Sequence, residues 1–228
     1  MAILHVQTIG SATDNQGASY TITPTSATVL GNAVIVYVVY YPPSGTYPTC
    51  TITDTAGNAY SVLYTVTGST TTGPSLLIAI SITTSAITTS NNITATFTGT
   101  APYSVMIADE WNGINTALDG SIVAASGGAG TSIPFGPLAT TNSTDLVLIV
   151  IATFGNLRAT TWSAGWLGTE FQTASPSLSI AWQLPTSTGS FSGTATIGAS
   201  EYWNYALFAL KGTSTSPSNT PQNFFALF

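Results

Sequence analysis

Side chains able to do acid–base, nucleophilic or metal chemistry are few and scattered: one histidine, His5, one cysteine, Cys50, and eight carboxylates in 228 residues. A Ser-His-Asp relay would have to recruit His5, which lies between Leu4 and Val6 on the first expected strand, and no GxSxG elbow occurs. His5 is therefore expected to be a structural or surface histidine. One His and one Cys fall short of a zinc ligand set. The Asp54-Thr55-Ala56-Gly57-Asn58 loop offers a single carboxylate where calcium takes about six to eight oxygens, so it is expected to be a hairpin turn. Glycoside hydrolysis needs two carboxyl groups roughly 5–10 Å apart. Asp109-Glu110 is the only adjacent pair, and neighbours on a strand face opposite ways. Asp119, Asp145, Glu170 and Glu201 fall at strand ends or turns, where carboxylates bond local backbone. A carboxylate pair formed across strands stays open. The expectation is a protein without catalytic residues, metal or cofactor.

Carbohydrate binding is the stronger functional alternative, because an aromatic ring face packs against the apolar face of a sugar. Trp162, Trp166, Trp111, Trp203 and Tyr47 lie near expected loops or strand ends, and the first three are the candidate sugar platforms. Trp182 falls mid-strand and is expected in the core. Core packing competes for every one of these rings, since large β-sandwiches need aromatics between their sheets. The sequons Asn92-Ile93-Thr94 and Asn142-Ser143-Thr144 matter only in a host that glycosylates them.

Charged residues make up 4% of the chain, against roughly 25% in a typical soluble domain. Thr, Ser, Asn and Gln must provide most of the solvation. With two basic residues and a net charge of −6, the chain lacks the Lys/Arg cluster that neutralises phosphates, which excludes nucleic acid as a partner. Cys50 is alone and forms no intramolecular disulfide. The start, Met1-Ala2-Ile3-Leu4-His5, shows no basic, apolar leader, so either cytoplasmic synthesis or a removed leader is expected. The most apolar runs, Val34 to Val39 and Leu146 to Ile151, are far shorter than the roughly 20 residues of a membrane span, and are expected to be core strands.

No segment has a helical apolar period with caps. Val, Ile, Thr, Tyr and Phe dominate, broken by Gly, Pro and Asn at strand-like intervals. Strands are expected near 3–10, 18–23, 32–41, 50–54, 59–66, 75–83, 92–98 and 103–111, and again near 118–126, 132–139, 144–153, 160–163, 167–173, 177–184, 192–197 and 203–211. The second series echoes the first. Asn32 to Tyr41 (NAVIVYVVYY) reappears as Thr144 to Thr153 (TDLVLIVIAT), and Ser75 to Gly113 reappears, shortened, as Ser177 to Gly212. The expected fold is all-β: a β-sandwich, jelly-roll-like or tandem immunoglobulin-like, built from two internal repeats. Residues 1–115 form the first repeat and 116–212 the second. The short connection Asn115-Thr116-Ala117 packs them tightly together.

Residues 213–228 differ in character. Thr213 to Gln222 (TSTSPSNTPQ) is a polar, Pro-punctuated linker, and Phe224-Phe225-Ala226-Leu227-Phe228 follows it. Phe224, Phe225, Leu227 and Phe228 at a terminus call for something to bury them, either the chain's own sandwich or the groove or sheet edge of a neighbouring subunit.

The strings TITPTSATVLGNAVIVYVVYY, TITDTAGNAYSVLY and APYSVMIADEWNGINTALDG resemble a β-sandwich repeat family seen in surface and secreted proteins of environmental bacteria and in phage structural proteins. TDLVLIVIATF, SAGW and YALFALKG resemble the companion repeat. The resemblance covers about residues 1–212, and its motifs are structural. It implies an immunoglobulin- or jelly-roll-like module for display, adhesion or assembly and brings no catalytic residues. Bacterial members usually sit behind a signal peptide within longer chains, whereas this chain starts directly. The expectation is a non-enzymatic virion component, a capsid decoration or a tail or fibre protein assembled in the host cytoplasm. Its partners would be copies of itself or other capsid or tail proteins, docked through the C-terminal arm. The alternative is a carbohydrate-binding or adhesive module at the bacterial surface.

Overall fold

The computed structural model describes residues 2–42, 46–99, 102–155, 159–172 and 175–213. These residues are all-β and form no helix, so none is long and apolar enough to cross a membrane. The first half supplies β1 (Leu4–Asn15), β2 (Ser19–Ile22), β3 (Ala33–Tyr41), β4 (Thr49–Asp54), β5 (Ser61–Val66), β6 (Ser75–Ile82), β7 (Ile93–Thr98) and β8 (Tyr103–Asn112). The second supplies β9 (Ile114–Leu118), β10 (Val123–Ala139), β11 (Asp145–Thr153), β12 (Ala159–Trp162), β13 (Leu167–Gln172), β14 (Ser177–Gln183) and β15 (Ser190–Gly212).

Antiparallel pairing arranges them in sheets of order β1-β8-β3-β6-β5, β2-β7-β4 and β10-β15-β11-β14-β13. β9 and β12 also pair with β15. The order β1-β8-β3-β6-β5 maps position by position onto β10-β15-β11-β14-β13. The outer order β2-β7-β4 likewise maps onto the far half of β10, the near half of β15, and β12.

The apolar runs explain the layering. A strand that is hydrophobic at every position must have a packed layer on both faces. Ile35, Tyr37 and Val39 of β3 face one way and meet Leu146, Leu148, Val150 and Phe208 of the second half. Val34, Val36, Val38 and Tyr40 face the other way, onto Tyr20, Ile22, Ala95 and Phe97 of the small outer sheet. β11 behaves alike: Val147, Ile149 and Ile151 turn from the shared core toward Ile133, Phe135, Ala195 and Ile197. The result is four layers, outer–inner–inner–outer, and the two halves share the central core.

Three expectations change. The strand expected at 118–126 begins only at Val123 and runs on into that expected at 132–139 as β10, and those at 192–197 and 203–211 run on as β15. Each bends through register shifts from the inner to the outer layer instead of breaking at a turn. At that bend Gly127 has no side chain, and the Trp203 ring occupies the space a Cβ would need. The boundary expected at 115/116 falls inside β9, which joins the second sheet; the turn lies just before β9, at Gly113, whose φ of 81° suits glycine. Third, Asp54–Asn58 is not a hairpin. β4 and β5 lie in different sheets, so this loop arches between layers. Asp54 holds the arch by accepting from the Asn58 amide (3.0 Å), Asn58 Nδ2 (2.9 Å) and the Tyr60 hydroxyl (3.0 Å).

Candidate functional site

The carboxylates separate by environment. On β8, Asp109 and Glu110 are both fully buried and face opposite layers. Glu110 Oε1 accepts from the Val29 amide (2.8 Å) and Asn32 Nδ2 (2.6 Å), and its Oε2 accepts from Gln7 Nε2 (2.6 Å). It pins the loop that leads into β3. Asp109 faces the shared core, where its Oδ1 lies 3.5 Å from His5 Nε2. The His5 ring sits between Trp111 (centroids 4.8 Å) and Trp182 (5.2 Å), so β1 is held between the halves by two indoles with the Asp109 carboxyl beside them. His5 is thereby structural in its contacts.

A carboxylate pair across strands does exist, at the start of β11. Asp119 accepts from the Thr141 hydroxyl (2.6 Å) and the Thr141 and Asn142 amides, and Lys211 Nζ lies 3.8 Å away. Asp145, wholly buried, accepts from Asn142 Nδ2 (3.0 Å). Burial pushes the Asp145 carboxyl up to about 6, helped by Asp119 and opposed by Asn142 and Lys211. Burial would raise Asp119 as well, but its hydrogen bonds from Thr141, Asn142 and a protonated Asp145 outweigh that and hold it down to about 2. The pair pins the loop before β11 as Glu110 pins the loop before β3.

This arrangement has a pH signature. The folded state binds the Asp145 proton more tightly than the unfolded chain, whose Asp titrates near about 3.9. Its contribution is therefore complete below about pH 4 and lost as pH rises toward about 6. Asp119 has the opposite sign: its contribution is present above about pH 4 and lost toward about pH 2. Wild-type Tm is expected to fall between pH 4 and 6.5 relative to Asp145→Asn, whose amide still donates to Asp119 without titrating. Parallel Tm curves for the two proteins across that range would refute the shared proton.

The aromatic candidates are mostly core. Trp111 is fully enclosed and Trp166 is 7% exposed, stacked edge-on to Phe135 at 5.0 Å. Neither ring has an open face, so both are corrected from sugar platforms to packing residues. Trp203 is likewise buried. Trp162 is half-buried, its ring 6.3 Å from Phe135. Trp182, expected in the core, is half-buried against it. Cys50 is buried and its thiol is pushed up to about 12 by that burial, which leaves little thiolate at neutral pH.

Two ends of the stack remain. At one, Gly212 N donates to Thr144 O and Thr213 N to Gly113 O, both at 2.8 Å. Beside them is an open depression of about 230 Å³ lined by Ala2, Ile3, Thr144, Asp145, Leu184 and Pro185. Of its lining, Leu184 is 39% exposed, and Leu4, next in the chain to Ile3, is 60% exposed. At the other end, Tyr41 of β3 meets Phe154, just past β11, and Tyr103 of β8, both at 5.2 Å. The sequence singled out Tyr47 there but not Tyr41 and Tyr103, which fall in expected strands, or Phe154, which follows the strand expected at 144–153.

Phe224, Phe225, Leu227 and Phe228 lie outside the described residues, as does the side chain of Glu170. Among the described residues, no three His, Cys, Asp or Glu side chains come together as a metal site. Comparison of the chain with models of protein families, with curated proteins and with solved structures gives no match.

Proposed function

We propose that the protein is a non-enzymatic structural subunit of a larger particle. The particle we favour is a phage virion, with the subunit a capsid decoration or a tail or fibre component made of two repeats of one β-module. The observation that carries this reading is where the chain leaves the stack. Thr213 is fastened by a backbone bond to Gly113, and Thr144, which holds the preceding Gly212, lines an apolar depression with Ile3 and the exposed Leu184. The arm with Phe224, Phe225, Leu227 and Phe228 thus starts beside a surface of matching character. We place the arm of one subunit in the corresponding end of a neighbour. Burying four such side chains contributes on the order of 6–10 kcal/mol before ordering costs.

A nearly charge-free surface also supports the reading, because copies can approach without like-charge repulsion. The test is light scattering behind size exclusion on the full chain and on residues 1–213, which retain every strand of the described residues and the Thr213–Gly113 bond. The full chain is expected to be oligomeric and the truncation monomeric with an unchanged melting temperature. A monomeric full chain, or one oligomer for both proteins, refutes docking through the arm.

A further inference from the structure

We propose that the end of the stack opposite Thr213 binds a neutral oligosaccharide across two adjoining subsites that share Tyr47. This does not depend on the assembly reading. One depression, of about 270 Å³, is lined by Tyr41, Pro42, Tyr47, Thr70 and Phe154. The other, of about 280 Å³, lies between Tyr47, Thr49, Val62, Thr65, Thr67 and Leu77. Each is just below the roughly 300–1,000 Å³ of sites for drug-sized ligands, a size that suits one sugar ring. Because Tyr47 belongs to both, a ligand of two or more linked rings can occupy them at once.

The lining chemistry selects the ligand class. The described residues of both depressions carry no charge, so an ionic ligand has nothing to pair with. Tyr41, Tyr47 and Phe154 are half-buried aromatic residues of this lining, and Thr49, Thr65, Thr67 and Thr70 are exposed hydroxyl-bearing residues. A sugar presents the complement: an apolar C–H face and a rim of hydroxyls that both donate and accept.

The platform is also held in place. Tyr41 is flanked by Tyr103 at 35° and by the edge of Phe154 at 87°. Its hydroxyl lies 3.4 Å from Ser175 Oγ, which donates to Phe154 O at 2.9 Å. β3 of the first half and the segments flanking β11 and β14 of the second thus build one site. A ring already immobilised loses little conformational entropy when a ligand stacks on it.

The test is a calorimetric titration of the full chain with glucose, mannose, galactose and N-acetylglucosamine and with a linear tetrasaccharide of each. At least one tetrasaccharide is expected to bind with a Kd of about 10 μM to 1 mM, at least tenfold tighter than its monosaccharide. Tyr47→Ala is expected to weaken it tenfold or more, Tyr47→Phe less than about threefold, and Trp162→Ala not measurably. Native melting curves for the variants separate loss of site from loss of fold. The proposal is overturned if no tetrasaccharide binds at about 10 mM. Binding that is unchanged in Tyr47→Ala overturns it too, as does displacement of the sugar by a peptide of residues 214–228, which would make the end a protein-docking surface. Equal affinity for mono- and tetrasaccharide overturns the two-subsite arrangement.

Discussion

Trp111→Ala is expected to destabilise the protein by about 3–5 kcal/mol, in a single transition that both halves share. Trp111 is the largest fully buried side chain among the described residues, and it sits where β8 of the first sheet meets the second half through Trp182 (5.3 Å, edge-on) and His5. Removing the indole opens a cavity in the one core to which β3, β6, β8, β11, β14 and β15 all contribute. If that core couples the halves, urea unfolding followed by fluorescence and by far-UV circular dichroism gives coincident curves, shifted together. Trp111→Phe keeps most of the packing and is expected to cost less than about 2 kcal/mol. Two separated transitions, with only the first sensitive to Trp111→Ala, would show instead that each half is stabilised by its own outer layer.

Glu110→Ala is expected to cost about 3 kcal/mol or more, because the backbone amide of Val29 and the side-chain amides of Asn32 and Gln7 all lose their acceptor. Glu110→Gln should not rescue it. A carboxylate only accepts, whereas the glutamine NH₂ must point at one of these donors and replaces an attraction with a clash. Both variants should accelerate hydrogen exchange at the Val29 amide, while exchange at Thr141 and Asn142, held by Asp119, stays slow. Stability equal to wild type in Glu110→Gln would mean that the pocket accepts a neutral side chain and that its hydrogen bonds rearrange freely.

Much of the architecture was legible in the residue order, and particular segments show why. Ser19–Ile22 alternates exposed and buried positions as one open face requires, and the apolar runs within Ala33–Tyr41 and Asp145–Thr153 are buried at nearly every position. That signal comes from period and composition alone, so it survives without knowledge of partners. The carboxylate roles were half legible. Opposite-facing Asp109 and Glu110 follow from strand geometry, but the Asp119–Asp145 pair brings together residues from β11 and the loop ahead of β10, and no spacing rule announces it. The tryptophans failed for a related reason. An indole near a strand end can line a cleft or fill a core, and Trp111 and Trp166 fill cores because a second layer closes over them.

Strand identity, the all-β class, the buried central strands and the opposition of neighbouring side chains are local properties, dictated by backbone geometry and side-chain pattern. Which strands share a sheet is not local. Asp54–Asn58 has the residues of a hairpin turn, yet it arches between layers because β5 pairs with β6 and β4 with β7. The four-layer stacking, the shared core and the meeting of Tyr41 with Phe154 from opposite halves are settled by apolar faces seeking cover. That burial is non-directional, so it specifies its partners only when the whole chain has folded.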